Sequence, residues 1–354
     1  MRSARIIAAN TAILLLVAEL VAHLGILAYR SGKPALSYAT MSEPVKRNYS
    51  HRNRAEIDEL WRDTLSARWR YEPIVGFVNE QKQSRFVNVN QYGVRSNGSG
   101  FHPVEGATWF FGGSTTFGYG VADDETIPAA LERQLGQPVV NFGVPGHYSF
   151  HENRLLGQYL RLGFRPSRVL FLDGVNESCE ADLAEDELGD LVAQSQSGYH
   201  WQPSRPAVSA LRLLLNKTLR TTGMMDDAPD TDLRLSCHSA GRDFPLADLH
   251  ARALVERASL CGLYNIDCRT FIQPFAGLHG RHDQPDEADV AGARYLRALY
   301  QHLEPVWKRA GVSLVTGALD GLARHAYIDD AHYSPEAHRL IAGAMAGQLR
   351  AVTP

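Results

Sequence analysis

From about residue 106 onward the chain alternates two kinds of apolar pattern. Short apolar-rich runs at Ala107–Phe111, Val139–Phe142, Val169–Leu172, Asp267–Ile272 and Val312–Val315 have the length and side-chain content of buried strands. Between them the apolar positions recur at helical spacing. One helix starts at Thr126-Ile127-Pro128, with Thr126 or an Asp before it as cap and Pro in the first turn, and runs to about Leu135. Others cover Phe150–Leu162, Leu249–Leu263, Ala288–Arg309 and Pro335–Ala351. This alternation predicts a three-layer α/β/α sandwich around a central parallel five-stranded sheet. Residues 178–245 lose the pattern: Pro203, Pro206, a short helix near Ser209–Leu219 and a polar stretch Met224–Arg234 mark an insertion or lid.

Upstream the pattern changes character. From Ile6 to Tyr29 the chain is nearly all apolar, against the roughly 20 residues that a membrane-spanning helix needs. No good small-x-small cleavage site follows, so an uncleaved transmembrane signal anchor over residues 1–30 is expected, with a cytoplasmic tip. Arg2 and Arg5 precede the span and Arg30 and Lys33 follow it, which leaves the positive-inside rule nearly balanced. Glu19 inside the span is costly unless paired or neutral, and it would suit contact with a membrane partner protein. Residues 31–105 are expected as a stalk with a helical run at Ala55–Trp69, followed by a lead-in of short strands and turns. Residues 106–354 form the main domain.

Composition narrows the function classes. The 354 residues are 44% hydrophobic and 21% charged, ordinary for a globular protein with a real core. A formal net charge of −3 provides no global basic field, so no nucleic-acid partner is expected. Cys179, Cys237, Cys261 and Cys268 are too few for a disulfide scaffold and no pair has Cys-x-x-Cys spacing. Free buried thiols are the default, with Cys261 and Cys268 able to pair in an oxidising compartment.

In parallel sheets the reactive groups gather at the carboxyl ends of the strands, and four segments fall there. In Gly112-Gly113-Ser114-Thr115 the glycines let the backbone turn sharply, leaving a serine at a strand-to-helix corner with its amide free to donate. A phosphate-binding loop would need a lysine, and none lies in Gly112–Gly120. Asn141-Phe142-Gly143-Val144-Pro145-Gly146 offers glycines where a backbone amide can approach a ligand closely. Gly174-Val175-Asn176-Glu177 offers an amide side chain. In Asp329-Asp330-Ala331-His332 a carboxylate three residues before a histidine can orient the ring; the spacing favours Asp329 over Asp330.

These four segments, in this order, resemble the Ser, Gly, Gly-x-Asn and Asp-x-x-His blocks of the SGNH hydrolase superfamily, the GDSL-type esterases. Gly93-Val94-Arg95, Gly112–Gly120 and Asp329–Glu336 look most like membrane-anchored bacterial members that sit near envelope polysaccharide systems. The resemblance implies a flavodoxin-like fold, an inner-membrane location with the domain in the periplasm, and an acylated glycan or lipid substrate. It implies Ser114 as nucleophile, His332 as general base and Asp329 as its orienting acid. The oxyanion hole would comprise the amides of Ser114 and Gly146, chosen over Gly143 by the family spacing, and the side chain of Asn176. No cofactor or metal is expected. The chain departs from the family at Gly113, where Asp is frequent, and at Glu177, where Asp is usual. An O-acyltransferase working with a membrane partner and a non-catalytic glycan-binding protein are the alternatives.

Other residues have simpler expected roles. His147 and His151 lie four apart, with His147 before the helix and positioned to line the pocket. His338 is expected on a solvated helix face. His279 and His282 are expected in a surface loop, and Asp123-Asp124-Glu125 as favourable charge before a helix. Trp109 is expected in the core, and Gln273-Pro274 as a rigid turn beside the site.

Overall fold

The computed structural model describes residues 37–178, 236–239, 242–276, 278–279, 287–322, 325–329 and 331–351, together with isolated positions 10, 17 and 21. The apolar stretch over 6–29 and the short helix expected at Ser209–Leu219 therefore lie outside the described residues. Among the described residues no helix is long and apolar enough to cross a membrane.

In chain order the elements are helices α1 (Glu43–Asn48) and α2 (Arg54–Leu65), a hairpin of β1 (Trp69–Glu72) and β2 (Gly76–Asn79), then β3 (Thr108–Gly112), α3 (Ser114–Phe117) and α4 (Ile127–Leu135). They continue with β4 (Val139–Gly143), α5 (Ser149–Arg161), β5 (Arg168–Asp173), and a second hairpin of β6 (Ser236–Ser239) and β7 (Arg242–Pro245). The last are α6 (Leu246–Leu263), β8 (Cys268–Ile272), α7 (Glu287–Arg309), β9 (Ser313–Leu314) and α8 (Pro335–Ala351). Every expected strand and helix of the sandwich is present within a few residues, and Thr126 caps α4 through Ala129 N–H. Of the described part of the 178–245 insertion, 236–239 and 242–245 form the second hairpin.

The central sheet has five strands in the order β4-β3-β5-β8-β9, all parallel. Strand alternation sends neighbouring side chains of β3 to opposite layers. Phe110 packs with Leu170 and Phe271 against Leu131 of α4 and Ile341 and Met345 of α8. Trp109 and Phe111 face the other way, with Phe142, Phe171 and Leu156 of α5. The strand order reverses direction around β3 and β5, and the crevice outside that point is where such sheets place their ligands. The segments after β3, β4 and β5 all reach it.

The 31–105 segment was expected as a stalk and lead-in, but its described part is docked on the sandwich. α2 ends at Leu65, earlier than the helical run predicted to Trp69, which instead opens β1. Its apolar face buries Ile57, Leu60 and Trp61 with Phe117, Ala122 and Ile328 of the main domain. Arg95 extends the sheet edge by pairing with Asn141 in an isolated antiparallel bridge. The sequence pattern shows that α2 is amphipathic but not which surface covers its apolar face.

Two further expectations are corrected. Cys261 and Cys268 form a disulfide joining the end of α6 to the start of β8. His338 is wholly buried rather than solvated: among the described residues neither ring nitrogen has a hydrogen-bond partner, and burial pushes it down to about 3. It lies on the inward face of α8, where it packs against Tyr333.

Candidate active site

β3 ends at Gly112, the chain turns at Gly113, and Ser114 opens α3. The first amides of a helix have no partner within it, so the Ser114 N–H is available to a ligand. The structure gives a steric reason for glycine at position 113, where the pattern the sequence resembles frequently has Asp. A Cβ built there would lie 2.1 Å from Asn176 Nδ2, so the carboxamide occupies the space of a side chain.

The Asp-x-x-His spacing forms a local turn. Asp329 Oδ1 accepts the amides of Ala331 (2.9 Å) and His332 (2.7 Å), while His332 Nδ1 meets Oδ2 of the same carboxylate at 2.7 Å. Burial raises the Asp329 pKa, but the hydrogen bond and charge of His332 and the two amides outweigh it and hold the carboxyl below the usual range. With Nδ1–H held by Asp329, Nε2 keeps its lone pair. Nε2 lies 2.8 Å from Ser114 Oγ, across a separation of 218 residues. The structure thus brings Ser114, His332 and Asp329 into the geometry of a catalytic triad.

Asn176 stands in the 3₁₀ turn Val175–Ser178 after β5. One Nδ2 hydrogen goes to His147 O (2.7 Å), which leaves the second for an oxyanion beside Ser114. Gly146 is an exposed turn residue with φ +86°, adjoining His147. Gly143 is committed elsewhere: its N–H donates to Asn141 Oδ1 and its carbonyl accepts from Asn79 Nδ2. A cavity of about 10 Å³, about one water in size, lies beside Ser114, His147, Asn176 and Gln273. Gln273 is more than a turn, since its Oε1 accepts from Thr115 Oγ1 at 2.7 Å.

His147 lines that cavity and is buried, with Nε2 on Phe77 O at 2.7 Å. His151 stacks on it at 4.9 Å between ring centroids. Burial pushes both imidazoles down, His151 to about 4. Asp123, expected as helix-terminal charge, instead pairs with buried Arg95 (Nε to Oδ1, 3.1 Å). His279 is half-buried and packs against Tyr300, and Trp109 is in the core as expected. His282 and Asp330 lie outside the described residues.

Sequence reasoning missed the polar cluster behind Asn176. Glu177 accepts from Gly174 N–H, Ser149 N–H (3.0 Å) and Ser149 Oγ (2.9 Å), which ties the Asn176 turn to the start of α5. Arg257 bridges Asp173 (2.8 Å) and Glu152 (3.0 Å). Asp173, Glu177 and His250 offer ligand-type atoms within 4.8 Å of one another, but Arg257 already supplies the positive charge among these carboxylates. A signal was present in Glu177 itself, an acid next to a predicted oxyanion donor.

Burial first, then Asp173, pushes Glu177 from the ordinary 4.5 up to about 8. The folded state therefore holds this proton over a range where the unfolded chain releases it. Its stabilising contribution is complete below pH 4.5 and is lost as pH rises toward about 8. The thermal midpoint is expected to fall over this window in the wild type and less steeply in Glu177→Gln. Equal slopes in the two proteins would contradict this assignment.

Sheet order, strand-end segments and triad together place a Ser-His-Asp constellation at the carboxyl edge of a parallel sheet in a three-layer α/β/α sandwich. No protein-family model matches the chain, and no curated protein matches it. Among solved structures it is similar to a carbohydrate acetylesterase family member from Sinorhizobium meliloti (14% identity, 69% of this chain and 98% of that one, TM-score 0.38). It is also similar to a member of the lipolytic protein G-D-S-L family from Veillonella parvula (12%, 70% and 98%, TM-score 0.38). A third is the inhibitor-bound aryl esterase of M. smegmatis (13%, 70% and 99%, TM-score 0.36).

Proposed function

We propose that this protein is a serine esterase that removes acetyl or other small acyl groups from a cell-envelope glycan or lipid. The observation that carries the reading is the 2.8 Å contact between His332 Nε2 and Ser114 Oγ, with Asp329 on the opposite ring nitrogen. Ser114 Oγ attacks the ester carbonyl carbon while His332 Nε2 takes its proton. The negative charge on the former carbonyl oxygen is held by the Ser114 and Gly146 amides and Asn176 Nδ2. On collapse, His332 returns the proton to the departing alcohol, leaving acyl-Ser114. Water, deprotonated by His332, then releases the acid and regenerates the serine.

Asn176→Ala is expected to lower kcat by about 100- to 1000-fold with a smaller change in KM, because the lost donor acts on charge that develops in the transition state. Steady-state hydrolysis of 4-nitrophenyl acetate by the purified full-length protein reads both constants. An unchanged kcat would remove Asn176 from the oxyanion hole.

The same acyl-serine can pass its acyl group to a sugar hydroxyl. Incubating the protein with an O-acetylated glycan, and separately with an acetyl donor plus the deacetylated glycan, tests the two directions. Release of free acetate supports the esterase; acetyl appearing on the second glycan without hydrolysis replaces it with the transferase; neither, with binding retained, supports a binding protein. The residue 6–29 stretch is proposed as an inner-membrane anchor with the catalytic domain in the periplasm. The Cys261–Cys268 disulfide supports an oxidising compartment. A phosphatase reporter fused at the C-terminus should be active only if that end is outside the cytoplasm.

A further inference from the structure

The hydrogen bonds of His332 define a line from Asp329 through the imidazole to Ser114. Within those two contacts the imidazole can still rock about its Cβ–Cγ bond, and a rocked ring points its Nε2 lone pair away from the serine proton. A face contact removes that freedom. Tyr119 provides one: its ring stacks on the His332 imidazole with centroids 4.3 Å apart and planes at 28°.

Tyr119 is itself tied to the nucleophile. Its N–H donates to Ser114 O at 3.0 Å, so the stack is referenced to the backbone that carries the attacking oxygen. The flanking turn is held from both sides. Arg95 donates to the carbonyls of Phe117, Gly118 and Val121, and Tyr49 OH donates to Gly120 O at 2.8 Å. The edge of Trp61, from α2, then meets the Tyr119 ring at 5.9 Å between centroids and 74° between planes. Gly120 is filled in from the same side: a Cβ there would lie 2.3 Å from Ile328 Cδ1 and 3.2 Å from Trp61.

We propose that Tyr119 is a positioning residue for the general base, with its ring face fixing the His332 imidazole between Asp329 and Ser114 and with Trp61 of the docked N-terminal segment holding that ring in place. This makes α2 a working part of the site rather than a spacer. The imidazolium formed during attack also gains from the aromatic face beneath it. The inference rests on the esterase reading, because it concerns the same histidine.

The test uses the full-length protein and two readouts: kcat and KM for 4-nitrophenyl acetate, and the labelling rate of Ser114 by a fluorophosphonate, which needs the activated serine but no particular ester. In Tyr119→Leu, kcat and labelling rate are expected to fall about three- to thirtyfold, from the size of aromatic-face contacts, with KM within about twofold. Tyr119→Phe, which keeps the face, should return both to within about twofold of wild type, and Trp61→Leu should fall between. Tyr119→Met provides a second variant without a ring, and rates are normalised to the folded fraction read from the thermal transition. Wild-type rates in Tyr119→Leu overturn the proposal, as does a Tyr119→Phe variant as slow as Tyr119→Leu, or loss of folding in both Leu and Met variants. A wild type that neither hydrolyses the ester nor labels overturns the esterase reading itself, and this inference with it.

Discussion

Ser114→Ala is expected to lower the turnover of a small acetyl ester by on the order of 10⁴-fold or more, with little change in KM. On the proposed mechanism the variant removes the atom that forms the acyl bond and leaves the ester's other contacts in place. Its fold should survive, since the side chain is only half-buried and its mapped hydrogen bond is to His332 Nε2. Some rate above the uncatalysed reaction should remain, because the Ser114 and Gly146 amides and Asn176 can still polarise a carbonyl toward attack by water. His332→Ala should cost a similar factor, and the double variant hardly more than either, because serine and base act as a unit. The measurement is steady-state hydrolysis by purified protein, with active-site titration of the wild type. Activity that survives Ser114→Ala would show that another nucleophile is at work.

The second large effect is on stability. Arg95 has no exposed side-chain surface and holds five partners at once: Asp123, the carbonyls of Phe117, Gly118 and Val121, and the face of Phe117 at 4.6 Å. Arg95→Met fills the space of the stem but removes the charge partner of Asp123, which keeps only its two hydrogen bonds from Asn88, and takes a donor from each of three carbonyls. Breaking a buried pair by removing one partner typically costs about 3–5 kcal/mol. The thermal midpoint should therefore fall by on the order of 10 °C. Arg95→Met combined with Asp123→Asn should recover part of the loss, because the stranded charge is gone. Activity should fall as well, since those carbonyls belong to the turn that carries Tyr119. A midpoint within a degree or two of wild type would mean that this network is satisfied in some other way.

The same turn shows how unevenly the molecule was written into its sequence. Gly93-Val94-Arg95 stood out as a motif, yet nothing local said that its arginine would reach residues 117–123. The acidic run Asp123-Asp124-Glu125 looked like helix-terminal charge, and its first member became the buried partner of that arginine. His338 followed a helical pattern that is silent about which histidine faces inward, and α8 turned it into the core. Nothing near Gly113 in the sequence shows that Asn176, from another strand end, needs its space. Cys261 and Cys268 were ambiguous because pairing depends on how α6 turns into β8.

What the sequence determined alone were features with short range. Apolar periodicity marked each strand and helix of the sandwich, since the faces that must be buried repeat every two or 3.6 residues. The Asp329–His332 turn was legible for the same reason: both partners lie within one loop and share one carboxylate. The tertiary structure decided what meets what. It brought Ser114 to His332 across 218 residues, set Asn176 against Gly113, and covered α2 with the loop behind the base. Such contacts depend on strand order and on the packing of faces from distant parts of the chain, and no local pattern carries that information.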